Sequence, residues 1–354
     1  MNTRSCQPNL IANPRVPRAG FTLVEIMVAV AVLSLLLAIS AQVIGQAQRT
    51  WTRSTARLSQ FREVRLAFDL MTRTLSQATL GSYLMDDRNS PDEVATRYVR
   101  RSELRFVCGK ASDLVEGSGD KPGHAVFFQA PLGVVDQAAN AGLTNLLCGR
   151  GYFVQYTSDR SFRPGFLTDM PEKSRYRLME FSPSAEANTI YAGGGNDWFK
   201  EAGKSVPDDE RDAASRGLTR PIADNIVSLI ISPQYQDGGD GLPSVEIAPR
   251  YEYDSAEAEN QGLRSGPGGV SNQQGTQHML PPLVRVVMVA IDENSAERME
   301  SSGRGEFMTQ SGAKFTNASQ LDKDIKALQE KLNEPGMKLN YRVFSTIISL
   351  NDVD

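Results

Sequence analysis

The sequence predicts an α+β protein. One long amino-terminal helix, half membrane-spanning and half amphipathic, is expected to pack on an antiparallel β-sheet head with long loop insertions. Three observations predict this class. An apolar stretch follows a basic amino-terminal segment, an amphipathic stripe of helical period follows the apolar stretch, and short strand-like runs separated by long polar segments make up the remainder.

The first element is a leader of residues 1–20, which holds three arginines, no acidic residue and several prolines. The apolar stretch from Phe21 to Val43 follows, and about 20 such residues span a bilayer as a helix. Basic residues on its amino-terminal side place the leader in the cytoplasm and the rest outside the inner membrane. In a secretory signal, small residues follow a shorter apolar region, whereas Ala19 and Gly20 precede this one.

Glu25 is the informative residue of this stretch, because a charge inside a membrane segment is costly and indicates a function. The run from Gly20 to Glu25, GFTLVE, resembles the cleavage and methylation motif of type IV prepilins and type II secretion pseudopilins. The resemblance implies that a prepilin peptidase cuts after Gly20 and methylates the new terminal amine of Phe21. It also implies that the Glu25 carboxylate of one subunit neutralises the Phe21 ammonium of a neighbour during filament assembly. An uncleaved anchor with an incidental glutamate is the alternative.

Residues 44–80 are predicted to continue the same helix as an amphipathic segment that ends at Gly81. Apolar residues recur there in steps of three and four: Ile44, Ala47, Trp51, Leu58, Phe61, Phe68, Met71, Leu75 and Ala78.

Residues 81–354 predict an extracytoplasmic β-rich head. Strands are expected at Leu104–Cys108, Ala125–Phe128, Gly151–Tyr156, Tyr176–Phe181, Leu283–Ile291 and Leu339–Leu350. The run from Ile222 to Ile231 is interpreted as a helical turn leading into a strand. A short helix is predicted between Ser319, as its cap, and Pro335. The segments 82–101, 157–175, 185–219 and 236–280 are interpreted as long loops.

The later strands are similar to those of the J-type minor pseudopilins and of a longer pilin-like group, the Verru_Chthon cassette protein C group. The segments that carry this resemblance are IADNIVSLIISPQY, LPPLVRVVMVAID and YRVFSTIISL. Insertions between the strands, and the helix before the last strand, fit the longer group better.

Two cysteines, Cys108 and Cys148, lie in the head. In an exported domain, a lone pair is compatible with one disulfide. Two buried thiols in separate strands are equally compatible, because spacing alone does not establish the Cα separation that a bridge needs.

The sequence offers little for catalysis, and no enzyme activity and no cofactor are predicted. Its two histidines, His124 and His278, are interpreted as surface residues. Asp237, Asp240 and Glu246 supply oxygen atoms of the kind that Ca²⁺ prefers, with Asp254 and Glu257 nearby. Their spacing matches no EF-hand, so a solvated loop is the favoured interpretation and no metal site is predicted.

The predicted role is assembly. The sequence predicts a minor pseudopilin of a type II secretion or type IV pilus-like system, with prepilin peptidase, other pilin-like subunits and the inner membrane as partners. A net charge of −4 and the lack of a basic patch argue against nucleic acid, and with it against a DNA-binding competence pilin. A membrane-anchored periplasmic binding module that does not polymerise is the alternative. Trp198 and Phe199 are candidates for partner binding, with local packing as the alternative.

Overall fold

The computed structural model describes residues 20, 22–87, 94, 97–117, 119–163, 165–167, 169–187, 198–203, 218–235, 247–257, 274–301, 315–336 and 338–350. The chain divides into two compact units, Met1–Ala56 and Arg57–Asp354. One long helix and antiparallel sheets are present, so the predicted α+β class is confirmed.

Helix α1 extends over Leu23–Leu75. In the second unit, one face of this helix is buried at the spacing of an amphipathic stripe: Val64, Ala67, Phe68, Met71, Leu75 and, just beyond the helix, Ala78. The helix ends earlier than predicted, at Leu75 rather than near Gly81. The N–H groups of Gln77 and Ala78 donate to carbonyls three residues back, which tightens the last turn. Gly81 then adopts a φ of 51°, a conformation that glycine accepts without strain.

Eleven strands, three further α-helices and several short 3₁₀ helices lie in the rest of the described chain. The strands are β1 (Tyr83–Asp87), β2 (Arg97–Arg101), β3 (Val107–Lys110), β4 (His124–Pro131), β5 (Leu147–Ser158), β6 (Ser174–Phe181), β7 (Thr219–Asp224), β8 (Ile226–Gln234), β9 (Tyr253–Asp254), β10 (Leu283–Ile291) and β11 (Tyr341–Ser349). The helices are α2 (Ala111–Leu114), α3 (Glu293–Ser301) and α4 (Leu321–Leu332).

All the strand pairings are antiparallel. The strands form a six-stranded sheet in the order β7-β6-β5-β4-β3-β9, a three-stranded sheet in the order β11-β10-β8, and the hairpin β1-β2. Both faces of the six-stranded sheet are buried, because a separate core packs on each face and side chains alternate between the two faces of a strand. Val126, Phe128 and Tyr152 belong to the main core, which also contains α1, β8 and β10. Their neighbours Phe127 and Phe153 lie on the opposite face in a second, aromatic core.

Several segment predictions need correction. The predicted loop 82–101 contains the hairpin β1-β2. The predicted helical turn at Ile222 is strand β7, and Asn225, with a φ of 64°, separates it from β8. Helix α4 confirms the predicted late helix, but Ser319 is not its cap. A 3₁₀ turn, Ala318–Gln320, precedes the helix, and Asn317 caps this turn by accepting a hydrogen bond from the Ser319 N–H.

Candidate functional site

The amino-terminal end of α1 is organised by Thr22. The Thr22 hydroxyl oxygen accepts a hydrogen bond from the Glu25 N–H at 3.3 Å, and the Thr22 carbonyl accepts from the Ile26 N–H at 3.2 Å. This is the geometry of a helix cap, and the spacing Thr-x-x-Glu is that of a capping box. The role of Thr22 was not predicted from the sequence, although that spacing directly before an apolar run was the available signal. The cap starts the helix two residues after the predicted cleavage position.

The three predicted processing residues lie at or beside this cap. Gly20 is exposed, and a Cβ at this position would meet no atom within 4 Å. Phe21 lies outside the described residues. Glu25 is exposed in the first helical turn, where the partial positive charge of the helix amino terminus favours an anion.

The apolar half of α1 exposes its side chains over its whole length. A 29-residue segment, Leu23–Trp51, is long and apolar enough to cross a membrane; its most apolar 18-residue window has a mean hydropathy of 2.6, and none of that window is buried. At about 1.5 Å per residue, its length exceeds the roughly 30 Å of a bilayer core. Contiguous exposed apolar surface of this extent indicates a lipid or protein environment.

The polar groups of this segment differ in whether they have a hydrogen-bond or ion-pair partner. The Ser34 hydroxyl donates to the carbonyls of Val30 and Ala31 at 2.8 and 3.0 Å, so it places no unpaired donor in the apolar region. Glu25 is the only charged residue between positions 22 and 48. Within the part of the chain that the structure describes, no ion-pair partner lies beside its carboxylate. If this segment crosses a membrane, its carboxylate needs a partner from another molecule or another segment.

The two head cysteines are free and buried, which contradicts the disulfide and agrees with the alternative of separate thiols. Cys108 lies in β3 opposite Val126, and Cys148 lies in β5 opposite Ala130, so strand β4 runs between them. Two strand spacings amount to roughly 10 Å, beyond the roughly 7 Å limit of Cα separation for a disulfide.

The calcium candidates Asp237, Asp240 and Glu246 lie outside the described residues. Asp254, which was grouped with them, is engaged elsewhere, because both its oxygens accept from the Arg105 guanidinium. Among the residues that were described, no cluster of His, Cys, Asp or Glu has a metal-binding arrangement.

Trp198 and Phe199 are buried at 4% and 3% exposure, so their proposed role in partner binding is wrong and the packing alternative is right. They lie in a 3₁₀ helix, Trp198–Gly203, that covers one face of the six-stranded sheet. Phe199 stacks on Phe127 with ring centroids 5.1 Å apart, and Trp198 stacks on Phe181 at 6.1 Å. The aromatic pair therefore closes the second core.

His124 is buried rather than exposed, which corrects its predicted surface position. Its Nδ1 accepts a hydrogen bond from the Ile231 N–H at 3.1 Å, so the imidazole caps the outer edge of β8. Burial lowers the pKa of His124 to about 4, and the ring stays neutral at physiological pH. His278 is partly buried, and burial together with the neighbouring Arg101 and Arg100 lowers its pKa. Neither histidine lies beside a nucleophile in a catalytic arrangement among the described residues.

Comparison with known proteins agrees with the amino-terminal geometry. A family model described as the prokaryotic N-terminal methylation motif matches residues 15–41. The matched residues include Gly20, Phe21, the Thr22 cap and Glu25. No curated protein and no solved structure matches the chain.

Proposed function

We propose that this chain, which carries the prepilin N-terminal methylation motif and is type IV pilin-like, is a minor pseudopilin that assembles into a short filament. Prepilin peptidase removes residues 1–20 after Gly20 and methylates Phe21. The span 21–43 then holds the chain in the inner membrane, the helix continues beyond it to Leu75, and residues 81–354 form the periplasmic head. The system served is of the type II secretion or type IV pilus-like kind.

The observation that carries the proposal is the coincidence of four features within residues 15–41. The methylation motif, the Thr22 helix cap and the single carboxylate of Glu25 fall in this stretch, and the exposed apolar helix begins in it. A carboxylate without a cation beside it is costly in lipid. The methylated ammonium of a neighbouring subunit's Phe21 would supply that cation and would hold the two helices in one axial register.

The size and form of the head support a specialised role. The second unit has two sheets and a hairpin, with insertions between strands that are long compared with ordinary connections. A major filament subunit repeats tightly around the axis, whereas a minor subunit at a tip has room for such insertions. The proposed role is that of the J-type minor pseudopilins, which the later strands resemble in sequence.

The test is intact mass and amino-terminal sequencing of the membrane-extracted protein from cells with and without prepilin peptidase. The expected product begins at Phe21, is heavier by one methyl group and depends on the peptidase. A Glu25→Gln variant is expected to be cleaved and yet fail to co-assemble, since it keeps the shape and removes the charge. A product that keeps residues 1–20 would leave a membrane-anchored module that does not polymerise.

A further inference from the structure

The outer edges of the β-sheets differ in how far they are protected against pairing with another chain. A free edge offers unpaired N–H and C=O groups, and proteins normally blunt it with proline, bulges, charges or short length. In the six-stranded sheet, edge strand β7 contains Pro221 and has a register shift against β6. The opposite edge strand, β9, is two residues long. Both ends of this sheet are thereby blunted.

The hairpin and one side of the three-stranded sheet are protected too. At the outer edge of strand β8, the His124 ring accepts a hydrogen bond from the Ile231 N–H. The Gln274 side-chain amide both donates to the Arg100 carbonyl and accepts from the Arg100 N–H, so it occupies the outer edge of β2. Strand β1 has five residues and ends in two aspartates, Asp86 and Asp87.

Strand β11 lacks these devices. It is nine residues long, YRVFSTIIS, and it pairs with β10 along its whole length without a register shift. It contains no proline and one charged residue, Arg342, near one end. Its residue Ile347 is 57% exposed. Long, regular and nearly uncharged, this edge has the properties that favour strand addition.

The backbone groups that face outward from β11 follow from the bonds at its two ends. The Leu350 N–H donates to the Pro282 carbonyl, and the Asp292 N–H donates to the Asn340 carbonyl, each at 3.0 Å. Hydrogen-bonded residues recur at every second position of an antiparallel ladder. Even-numbered residues therefore face β10, and Val343, Ser345 and Ile347 direct their N–H and C=O groups outward. Among the described residues, no partner bonds these outward groups.

We propose that the outer edge of β11 binds an extended strand of another, non-identical pilin-like subunit, an inference that rests on the proposed function. The groups presented are peptide donors and acceptors at strand spacing, which an extended backbone satisfies. Arg342 selects a carboxylate on the incoming strand, and exposed Ile347 selects a β-branched or aromatic residue.

A second copy of this chain fits the edge less well. Phe61 of α1 lies beside Arg342 and Phe68 beside Phe344, so this part of the helix runs in the same sense as β11. Antiparallel self-pairing would make the two helices run in opposite senses, whereas chains anchored in one membrane enter their heads from the same side. Parallel self-pairing through the same edge would turn one copy over about the strand axis and place the two α1 segments on opposite faces of the joined sheet, whereas the proposed filament brings the helices of neighbouring subunits together.

The test compares full-length Ser345→Pro with Ser345→Ala in membranes that contain the other pilin-like subunits. Proline removes the outward N–H at position 345 and leaves the bonds to β10, as on natural edge strands, whereas alanine removes only the hydroxyl group. Three quantities are measured: the amino-terminal mass, the melting temperature, and the amount of other pilin-like subunits chemically cross-linked to the chain. We expect Ser345→Pro to be processed and folded, with cross-linking reduced roughly tenfold or more, and Ser345→Ala to behave as wild type.

Equal cross-linking of the two variants would overturn the inference and leave the proposed function intact. A wild-type chain that keeps residues 1–20 would refute the proposed function and the inference with it. If Ser345→Pro melts early, amide hydrogen exchange in the wild-type chain decides. Exchange at Val343 and Ile347 is expected to slow roughly tenfold on association, in line with one new hydrogen bond per amide. Unchanged exchange would overturn the inference.

Discussion

His124 is expected to make the stability of the second unit depend on pH. Its neutral Nδ1 accepts from the Ile231 N–H, and the ring lies 4.7 Å from that of Tyr251 in the buried interior. A protonated imidazole carries hydrogen on both nitrogens and has no acceptor left for Ile231. Protonation therefore removes the cap of β8 and places a charge in the core.

The direction and size follow from the pKa of His124, which burial lowers from 6.5 to about 4. The unfolded chain then binds a proton that the folded chain rejects, so stability is full above pH 6.5 and is lost as the pH falls towards 4. The contribution lost is about 2 kcal/mol at pH 5 and about 3 kcal/mol at pH 4.

The assay is denaturant unfolding of the detergent-solubilised protein at several pH values between about 7.5 and about 4. This range spans the unfolded and the folded pKa of His124. His124→Asn is the matched variant, because its amide oxygen replaces Nδ1 as the acceptor and does not titrate. We expect the wild-type protein to lose about 2 kcal/mol more than His124→Asn between pH 7 and pH 5. His124→Leu leaves the Ile231 N–H without an acceptor and is expected to cost about 1–3 kcal/mol already at pH 7.

Parallel pH profiles for the wild type and His124→Asn would refute the reasoning, since the titration would then arise from other groups. A His124→Leu variant as stable as the wild type at pH 7 would show that the cap of β8 contributes nothing.

Three further predictions concern the second core and the thiols. Trp198→Ala is expected to destabilise the fold by about 3–5 kcal/mol through the cavity it leaves, whereas Trp51→Ala, at a side chain 77% exposed, should leave thermal unfolding unchanged. Gly151→Ala would place a methyl group 2.2 Å from the Phe127 ring, so we expect a loss of about 1–3 kcal/mol in denaturant unfolding; Gly142→Ala, which meets no atom within 4 Å, is the control. The two buried cysteines should resist thiol reagents until the protein unfolds, because burial raises the pKa of the Cys108 thiol, and a reductant should not shift the melting temperature. Rapid labelling of the folded protein would contradict this last prediction.

Local patterns were sufficient for much of the fold. Strand β10 has the bounds predicted from its apolar run, Leu283–Ile291, and β6 and β11 lie within two residues of theirs. These runs are long, β-branched or alternating, and each contributes side chains to a core, so periodicity alone identifies them. Short polar strands such as β1 and β2 were not predicted, because each is held by pairing with the other and neither shows an apolar pattern.

The amino-terminal segment could also be predicted from the sequence, because the residues that define its chemistry are close together in the chain. Basic leader, Gly20, Glu25 and a long apolar run are all neighbours in the chain, and the match at residues 15–41 covers the same stretch. A helix in lipid satisfies its own backbone hydrogen bonds, so its existence does not depend on distant residues.

Only the tertiary structure determined whether the isolated polar and aromatic residues are buried and which residues they contact. The sequence around Trp198 is polar, yet the ring is buried because Phe127 and Phe181 come to it from other strands. His124 becomes the cap of β8 through a bond to a residue 107 positions away. Such contacts join residues far apart in the chain, and so does the arrangement that leaves β11 at the edge of its sheet. No local pattern of residue types encodes them, because burial and partnership arise only when the elements pack.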